Sequence, residues 1–531
     1  MASYTIGIDF GTLSCRALVL DLDSGKVMGN AEHGYHVYEK RLPDGTPLPE
    51  RMALGDPAEY LEALKCCVRE VIQNSGISCD DVKGIAVDST SMSVVPITAD
   101  GTAMCMLKSW KQEPHAYIRL WKSYTATEEA ETIHEAAEDK PFMQACGYHP
   151  SSEGIYPKML ETLHQCPQLY EEADAFVDLM DFINLQLTGK LTRCSGSMGL
   201  KNYCPDGQTL SDVTFWRQLH PAFRNVNDKL RGTFLPWGAK AGVLTEKMAA
   251  RLGLPAGIAV AAGGLDGHTS AMAVGLRKGG DAMLTIGTSG VLGVISDEWH
   301  VVPGVCGQAK DAMLPGLYAY DFCQSGVGDM FGWFVDNCVP SRYEKEAAEQ
   351  GISVHTLLSR KGFAVPVRAD APVALDWWNG SRSVIVDQTL KGAISGLSLG
   401  TKPEEIYRAL VEAAAFGVRT LKEQAERYGV KVERIYVCGG IAAKNPLLVQ
   451  CYSDILGCEL KVSGASNSAA LGDAIAAAAA CGHYASLDAA IDALACHDVC
   501  VYQPNMENHR AYEPLFRRYQ AMRAAFGPDN C

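Results

Sequence analysis

Ile6-Gly7-Ile8-Asp9-Phe10-Gly11-Thr12-Leu13-Ser14, near the start of the chain, and Met283-Leu284-Thr285-Ile286-Gly287-Thr288-Ser289-Gly290, past its midpoint, share one design. Each is an apolar, β-prone run that breaks at glycine and passes into small hydroxyl residues. Glycine lets the backbone come close to an anion, and the amides and hydroxyls after it donate hydrogen bonds to phosphate oxygens. One such turn alone reads as a hairpin. Its return in the second half, with a Gly439-Gly440 turn after another short apolar run, implies duplicated domains that grip one nucleotide from both sides.

The surrounding sequence alternates strand and helix signals. Residues 17–22 form a second apolar run, Asp23-Ser24-Gly25-Lys26 a turn, and the stretch from Val27 a return strand. Asp56, Pro57 and Glu59 open a helix that carries Leu61, Leu64, Val68 and Val71 on one face. Residues 82–87 form the next buried strand, which ends at Asp88-Ser89-Thr90-Ser91. In the second half, residues 282–286 and 435–437 read as strands. Helices are expected over 403–428, opened by a Thr401/Glu404 capping box, from Asn445-Pro446 onward, and over the alanine-rich stretch 469–480. This alternation points to an α/β fold with mostly parallel or mixed sheets. A length of 531 residues exceeds one ordinary core, so two large domains are expected, 1–275 and 276–531, joined at a tight hinge near 272–280.

Composition narrows the class. A net charge of −15 disfavours nucleic acid or an anionic membrane surface as the main partner. The longest apolar stretch, around residues 474–480, is too short to span a bilayer, and no basic segment followed by an apolar signal region opens the chain. The 19 cysteines, an odd number without a secretion signal, indicate reduced thiols and a cytoplasmic protein. They lack zinc-finger spacing, so most are expected to be small buried hydrophobes.

The chemistry is carried by a few residues. A Walker-type loop is absent from the sequence, as is a nicotinamide-type glycine fingerprint followed by an acid, which leaves the glycine–hydroxyl turns as phosphate cradles. Asp9 stands beside the first turn. A carboxylate next to phosphates needs an intervening cation, so Asp9 is a candidate Mg²⁺ ligand, direct or through water, or else an acid that satisfies turn amides. Asp266, in Gly263-Gly264-Leu265-Asp266-Gly267-His268, is an acid among small residues at the end of an apolar run, placed to take a proton from an attacking hydroxyl or to cap a helix. His268 reads as structural. Residues 110–122 interleave aromatics with donors, which suits a sugar or an amphipathic helix equally. Lys201 follows Ser-Gly-Ser-Met-Gly in what reads as an extended loop.

With these residues assembled, the chain resembles the FGGY family of carbohydrate kinases over essentially its whole length, and within it the ribulokinase branch. Residues 7–14 are similar to the family's first phosphate motif, 285–290 to the second, 439–445 to the adenosine-side motif and 464–472 to the signature that follows it. Pro114-His115-Ala116-Tyr117 with Leu120-Trp121-Lys122, Gln324-Ser325-Gly326-Val327-Gly328-Asp329 and Asp376-Trp377-Trp378-Asn379-Gly380-Ser381-Arg382 carry the branch resemblance. The resemblance implies two ribonuclease-H-like domains of the actin and heat-shock ATPase superclass around a central cleft that closes on its ligands. It implies ATP and Mg²⁺ as cofactors and a ketopentose substrate, L-ribulose phosphorylated on its 5-hydroxyl in L-arabinose catabolism. A homodimer is the form of self-association entertained. By position, Asp266 is the general base. Ser91, Trp121, Lys201 and Asp321 belong to the sugar pocket. Gly11, Thr12, Gly287, Thr288, Ser289, Gly439, Gly440 and Asn445 belong to the nucleotide site. Two positions depart from the branch: Asp321 stands where glutamate is usual, withdrawing the carboxylate by one methylene, and Ser91 where a smaller residue is common. Another pentulose or a polyol is the competing substrate reading, and a non-enzymatic ATP-driven binding protein of the same fold the competing class.

Overall fold

The computed structural model describes residues 2–137, 139–465, 467–497 and 499–528 and, of Lys201, the backbone alone. The chain forms two compact units. The first comprises residues 1–277, 307–319 and 465–496, and the second 278–306, 320–464 and 497–531. The join at Arg277–Lys278 lies within the stretch read as a hinge, while two later segments belong to the first unit.

The first unit is built on β1 (Tyr4–Phe10), β2 (Ser14–Asp21), β3 (Val27–Gly34), β4 (Val82–Ser89), β5 (Lys240–Val243), β6 (Ala259–Ala261) and the short β7 (Gly264–Leu265). The sheet order is β3-β2-β1-β4-β6-β5, with β7 also paired to β4. β1 and β2 form an antiparallel hairpin in which Asp9 faces Arg16, and β1 runs parallel to β4 with Asp9 opposite Asp88. Ile6, Ile8 and Phe10 are fully buried, the pattern of a central strand covered on both faces. Helix α1 (Pro57–Ser75) begins as its sequence dictates: the Asp56 carboxylate accepts from the Ala58 amide and Pro57 fills the first turn.

Two further helices of this unit matter for the site, α2 (Ile155–Gln165) and α3 (Ser195–Lys201). The second overturns the extended loop expected before Lys201. Gly196 and Gly199 let this segment close to within contact of Ala312 and Ala309, where a methyl would meet backbone or side-chain atoms at 2.5 and 2.4 Å. The packing winds a short helix that propensity alone disfavours. Residues 110–122 are not an amphipathic helix either. They form a 3₁₀ turn at Pro114–Ala116 and a two-residue strand, Ile118–Arg119, in a separate four-stranded sheet.

The second unit repeats the first. Strands β8 (Asp281–Ile286), β9 (Gly290–Ser296), β10 (Tyr318–Gln324, in this unit from Tyr320), β11 (Arg434–Cys438), β12 (Leu460–Ser463) and β13 (Val499–Tyr502) are ordered β10-β9-β8-β11-β12-β13. β8 pairs with β9 antiparallel and with β11 parallel, as β1 does with β2 and β4. The shared order, a hairpin followed by parallel strands, is the ribonuclease-H-like arrangement that the family resemblance implies. Helix α4 (Asp266–Ala273) still belongs to the first unit; the helices of the second include α5 (Gly328–Cys338), α6 (Pro403–Arg427), α7 (Gly440–Lys444) and α8 (Pro446–Leu456). The capping box of α6 sits one residue later than the sequence suggests: Glu405 Oε2 accepts from the Lys402 amide at 2.9 Å.

The alanine-rich helix α9 (Ser468–Ala480) packs on β1, β4 and α4 in the first unit. Its small residues are required by distance. A methyl on Gly7 would lie 1.8 Å from the Ala470 carbonyl oxygen, and one on Gly472 1.9 Å from that of Thr269. The Thr5 hydroxyl donates to Ala474 O at 2.8 Å, tying strand to helix across 469 residues.

Candidate active site

In the first unit the turn after β1 is tightly held. The Gly11 amide donates to Ser14 O at 3.0 Å, and the Tyr35 hydroxyl reaches the carbonyls of Gly11 and Ser14. Gly11 and Thr12 are half-buried at its tip. Trp121 Nε1 donates to Thr12 Oγ1 at 3.1 Å, so the aromatic segment and the phosphate-type turn share one wall. The neighbouring wall is the turn at the end of β4: Thr90 N donates to Phe10 O at 3.1 Å, and Ser91, half-buried, follows.

Four carboxylates converge here. Asp9 ends β1, Asp88 lies opposite it on β4, Asp266 opens α4, and Asp473 comes from α9. Asp9 is buried, and Arg16 Nη1 donates to its Oδ2 at 3.2 Å. Burial lifts the Asp9 carboxyl above the usual carboxylate range, against the pull of Arg16 and Asp88. Asp266 is half-buried, and its Oδ1 accepts from the Gly267 amide at 2.6 Å. Burial and the charge of Asp9 push it up to about 7, opposed by that amide, His268 and Arg16. A carboxylate poised near 7 is suited to taking a proton at neutral pH. Asp88 is held well above the usual range by burial and by Asp473, Asp9 and Asp266, while Thr269 Oγ1 donates to its Oδ2 at 2.6 Å. His268 is buried with Nδ1 at 3.1 Å from Ala312 O. Among the described residues no three His, Cys, Asp or Glu side chains form a metal cage. Asp9, with Asp266 beside it, offers carboxylate oxygens of the kind Mg²⁺ takes together with phosphate and water.

The second unit holds the other candidates. Gly287 N donates to Ser289 O at 3.0 Å, and the exposed Thr288 stands at the tip of the β8–β9 hairpin. The start of α5 closes on this turn, with the amides of Val327 and Gly328 donating to Thr288 O and Gly287 O at 2.9 and 3.0 Å. Gly439 is left-handed (φ 106°), and a methyl there would meet Ile286 O at 2.3 Å. It brings the end of β11 against that of β8, and leaves Gly440 exposed with open space around its α-carbon. Asn445 caps α8: its Oδ1 accepts from Leu448 N at 3.1 Å and its Nδ2 donates to Ser359 Oγ at 3.1 Å. Asp321 is a buried residue of β10 in this second unit.

The first unit thus brings together Asp9, Gly11, Thr12, Ser91, Trp121 and Asp266, and the second carries Gly287, Thr288, Ser289, Asp321, Gly439, Gly440 and Asn445. Lys201 ends α3, and its side chain lies outside the described residues. Arg16, Asp88 and Asp473 were missed as partners of Asp9. The first was findable, because a hairpin centred on Gly11–Leu13 pairs residues 9 and 16.

Comparison with known proteins places both halves of the chain in one family. Residues 4–273 match the N-terminal domain of the FGGY family of carbohydrate kinases and residues 282–481 its C-terminal domain. The chain is 37% identical to a ribulokinase of Bacillus licheniformis over 528 residues, covering 98% of this chain and 96% of that one. It is 39% identical to a ribulokinase of Mycolicibacterium smegmatis over 535 residues, covering 99% and 94%. In fold it is similar to xylulose kinase from Rhodospirillum rubrum (TM-score 0.84, 22% identity, 99% of both chains). It is also similar to Plasmodium falciparum glycerol kinase with ADP (TM-score 0.78, 15% identity, 98% of both chains). A two-unit α/β chain matched over both halves in this way belongs to the FGGY family of carbohydrate kinases.

Proposed function

We propose that the protein transfers the γ-phosphoryl group of ATP to the 5-hydroxyl of L-ribulose, giving L-ribulose 5-phosphate and ADP. The observation that carries the chemistry is Asp266, half-buried on the first turn of α4 and held near 7 beside Asp9. It accepts the proton of the attacking hydroxyl as the bond to phosphorus forms. Phosphoryl transfer has a loose transition state, so the carboxylate chiefly orients the hydroxyl and removes its proton late. Trp121 offers a flat face for the sugar's CH groups, with Ser91 as a polar partner in the same unit; Lys201 and Asp321 are assigned to the sugar by the family resemblance alone. The amides of Gly287–Ser289 steady the phosphates, and Gly439, Gly440 and Asn445 bound the adenosine side. Asp9 is the residue that would face Mg²⁺, which when bound would neutralise charge on the transferring phosphate. The choice of sugar is supported by the ribulokinase names of the full-length relatives. The shortened acid at Asp321 is the reason to test it.

The test is a coupled ADP assay over L-ribulose, D-ribulose, the xyluloses and polyols, with phosphorus NMR on the product. L-Ribulose should give the highest kcat/KM and a 5-phosphate. A higher value for another sugar would reassign the substrate, and ATP turnover without a phosphorylated sugar would remove the kinase reading.

A further inference from the structure

Lys158 lies on α2, 1% exposed, and plays no part in the proposed chemistry. Its ammonium donates three hydrogen bonds, all to backbone carbonyls: Met92 O at 2.6 Å, Leu120 O at 3.1 Å and Arg119 O at 3.2 Å. Met92 directly follows Ser91, and Leu120 directly precedes Trp121. The side chain therefore bridges the two loops that carry these candidate sugar residues.

Neither loop is held by repetitive structure. Met92 is a buried non-glycine residue in the left-handed region (φ 57°), a conformation that persists only where surroundings impose it. The other loop leaves a two-residue strand. Arg119 locks the arrangement from the far side, pairing with Glu161 and donating to the Lys158 carbonyl.

We propose that Lys158 is a positioning residue of the sugar subsite: its ammonium fastens the Ser91–Met92 turn to the Leu120–Trp121 segment and so sets the width of the pocket between them. This rests on the sugar-pocket reading of Ser91 and Trp121. Three carbonyl acceptors require three hydrogens, which only the protonated amine supplies. Burial and the charge of Arg119 lower Lys158 to about 7, while Glu153, Asp178 and Glu161 hold it up. His115, beside Glu113 and Glu161, and Asp178, raised by burial, are the other titrating groups of the cluster. The clamp is complete below that pH and loses a bond above it.

L-Ribulose binding is measured by calorimetry in Asp266→Asn, which removes the pocket's other group near 7, at about pH 6 and about pH 8.5. Affinity should fall about tenfold across this range, while MgADP affinity stays within about twofold. Adding Lys158→Met should leave sugar binding weak at both pH values and MgADP binding unchanged, a split that general loss of stability would not give. Equal sugar affinity with and without Lys158→Met overturns the inference, as does a pH dependence that survives it, which would belong to His115 or Asp178. Should that variant fail to fold, Asp266→Asn with His115→Gln carries the same test with Lys158 intact, and flat sugar affinity overturns the inference. Trp121→Ala is the control on the underlying reading: unchanged sugar affinity there removes the pocket itself, whereas weakened binding with no effect of Lys158→Met removes only the clamp.

Discussion

Asp88 and Asp473, 385 positions apart in sequence, stand side by side in the interior of the first unit, where the Trp237 indole and the Asp88 amide also act on Asp473. Two acceptors in contact need a proton between them. Burial, with the repulsion of neighbouring carboxylates, raises both groups well above the ordinary range.

The sign of the resulting pH dependence follows from linkage. A carboxyl raised in the folded state gives its full stability below its unfolded value, and that stability is lost as pH rises toward its folded value. Asp473→Asn replaces an acceptor with a donor facing Asp88 and should stabilise the protein near pH 8 by about 1–3 kcal/mol, with a smaller gain near pH 5. Urea unfolding at the two pH values measures this. A variant less stable than the parent at both would show that the pair is not strained by charge.

Asp266→Asn should retain sugar binding and lose about two to four orders of magnitude in kcat. At saturating sugar the parent enzyme's kcat should rise with pH through about 7 as this carboxyl ionises. Stopped-flow turnover with parallel calorimetry separates the two effects, and unchanged turnover would take Asp266 out of the base role.

Arg16 is half exposed, so its help to Asp9 is partly screened. Arg16→Gln should raise the Mg²⁺ concentration needed for half-maximal rate by about two- to fivefold. The defect should grow as pH falls, because Asp9 without its guanidinium partner protonates sooner. A Mg²⁺ titration at two pH values reads this directly. An equal requirement in both proteins would detach Asp9 from the metal.

Gly439 and Gly440 should respond differently to alanine. At Gly439 the left-handed backbone and the 2.3 Å approach to Ile286 O predict a loss of about 2–4 kcal/mol in stability. At Gly440, with nothing within 4 Å, stability should hold while ATP affinity falls. Thermal unfolding and nucleotide titration on the two variants give the contrast. Two variants that differ in neither would deny this turn a nucleotide role.

The parts legible in the sequence are those written locally. The two glycine turns, the Asp56–Pro57 helix start, the buried strands and the Asn445 cap follow from neighbouring residues, and the structure has each of them. What escaped depends on distant partners. The segment before Lys201 is helical because Ala309 and Ala312 press on Gly199 and Gly196, and nothing near residue 200 announces that. Asp473 reads as one polar residue in an alanine helix until α9 is laid on β4. Lys158 looks like a solvated lysine between apolar residues, and only the fold shows three carbonyls around it.

The helix that covers β1 is encoded after most of the second unit. During translation the opening sheet therefore waits, with Gly7 and the rest of that face uncovered, until some 470 residues have left the ribosome. Maturation of the amino-terminal half is deferred to the last stage of synthesis, and a fragment cut at the mid-chain join would emerge with an open apolar flank. A peptide spanning residues 465–496, supplied in trans, is the piece that should seal it.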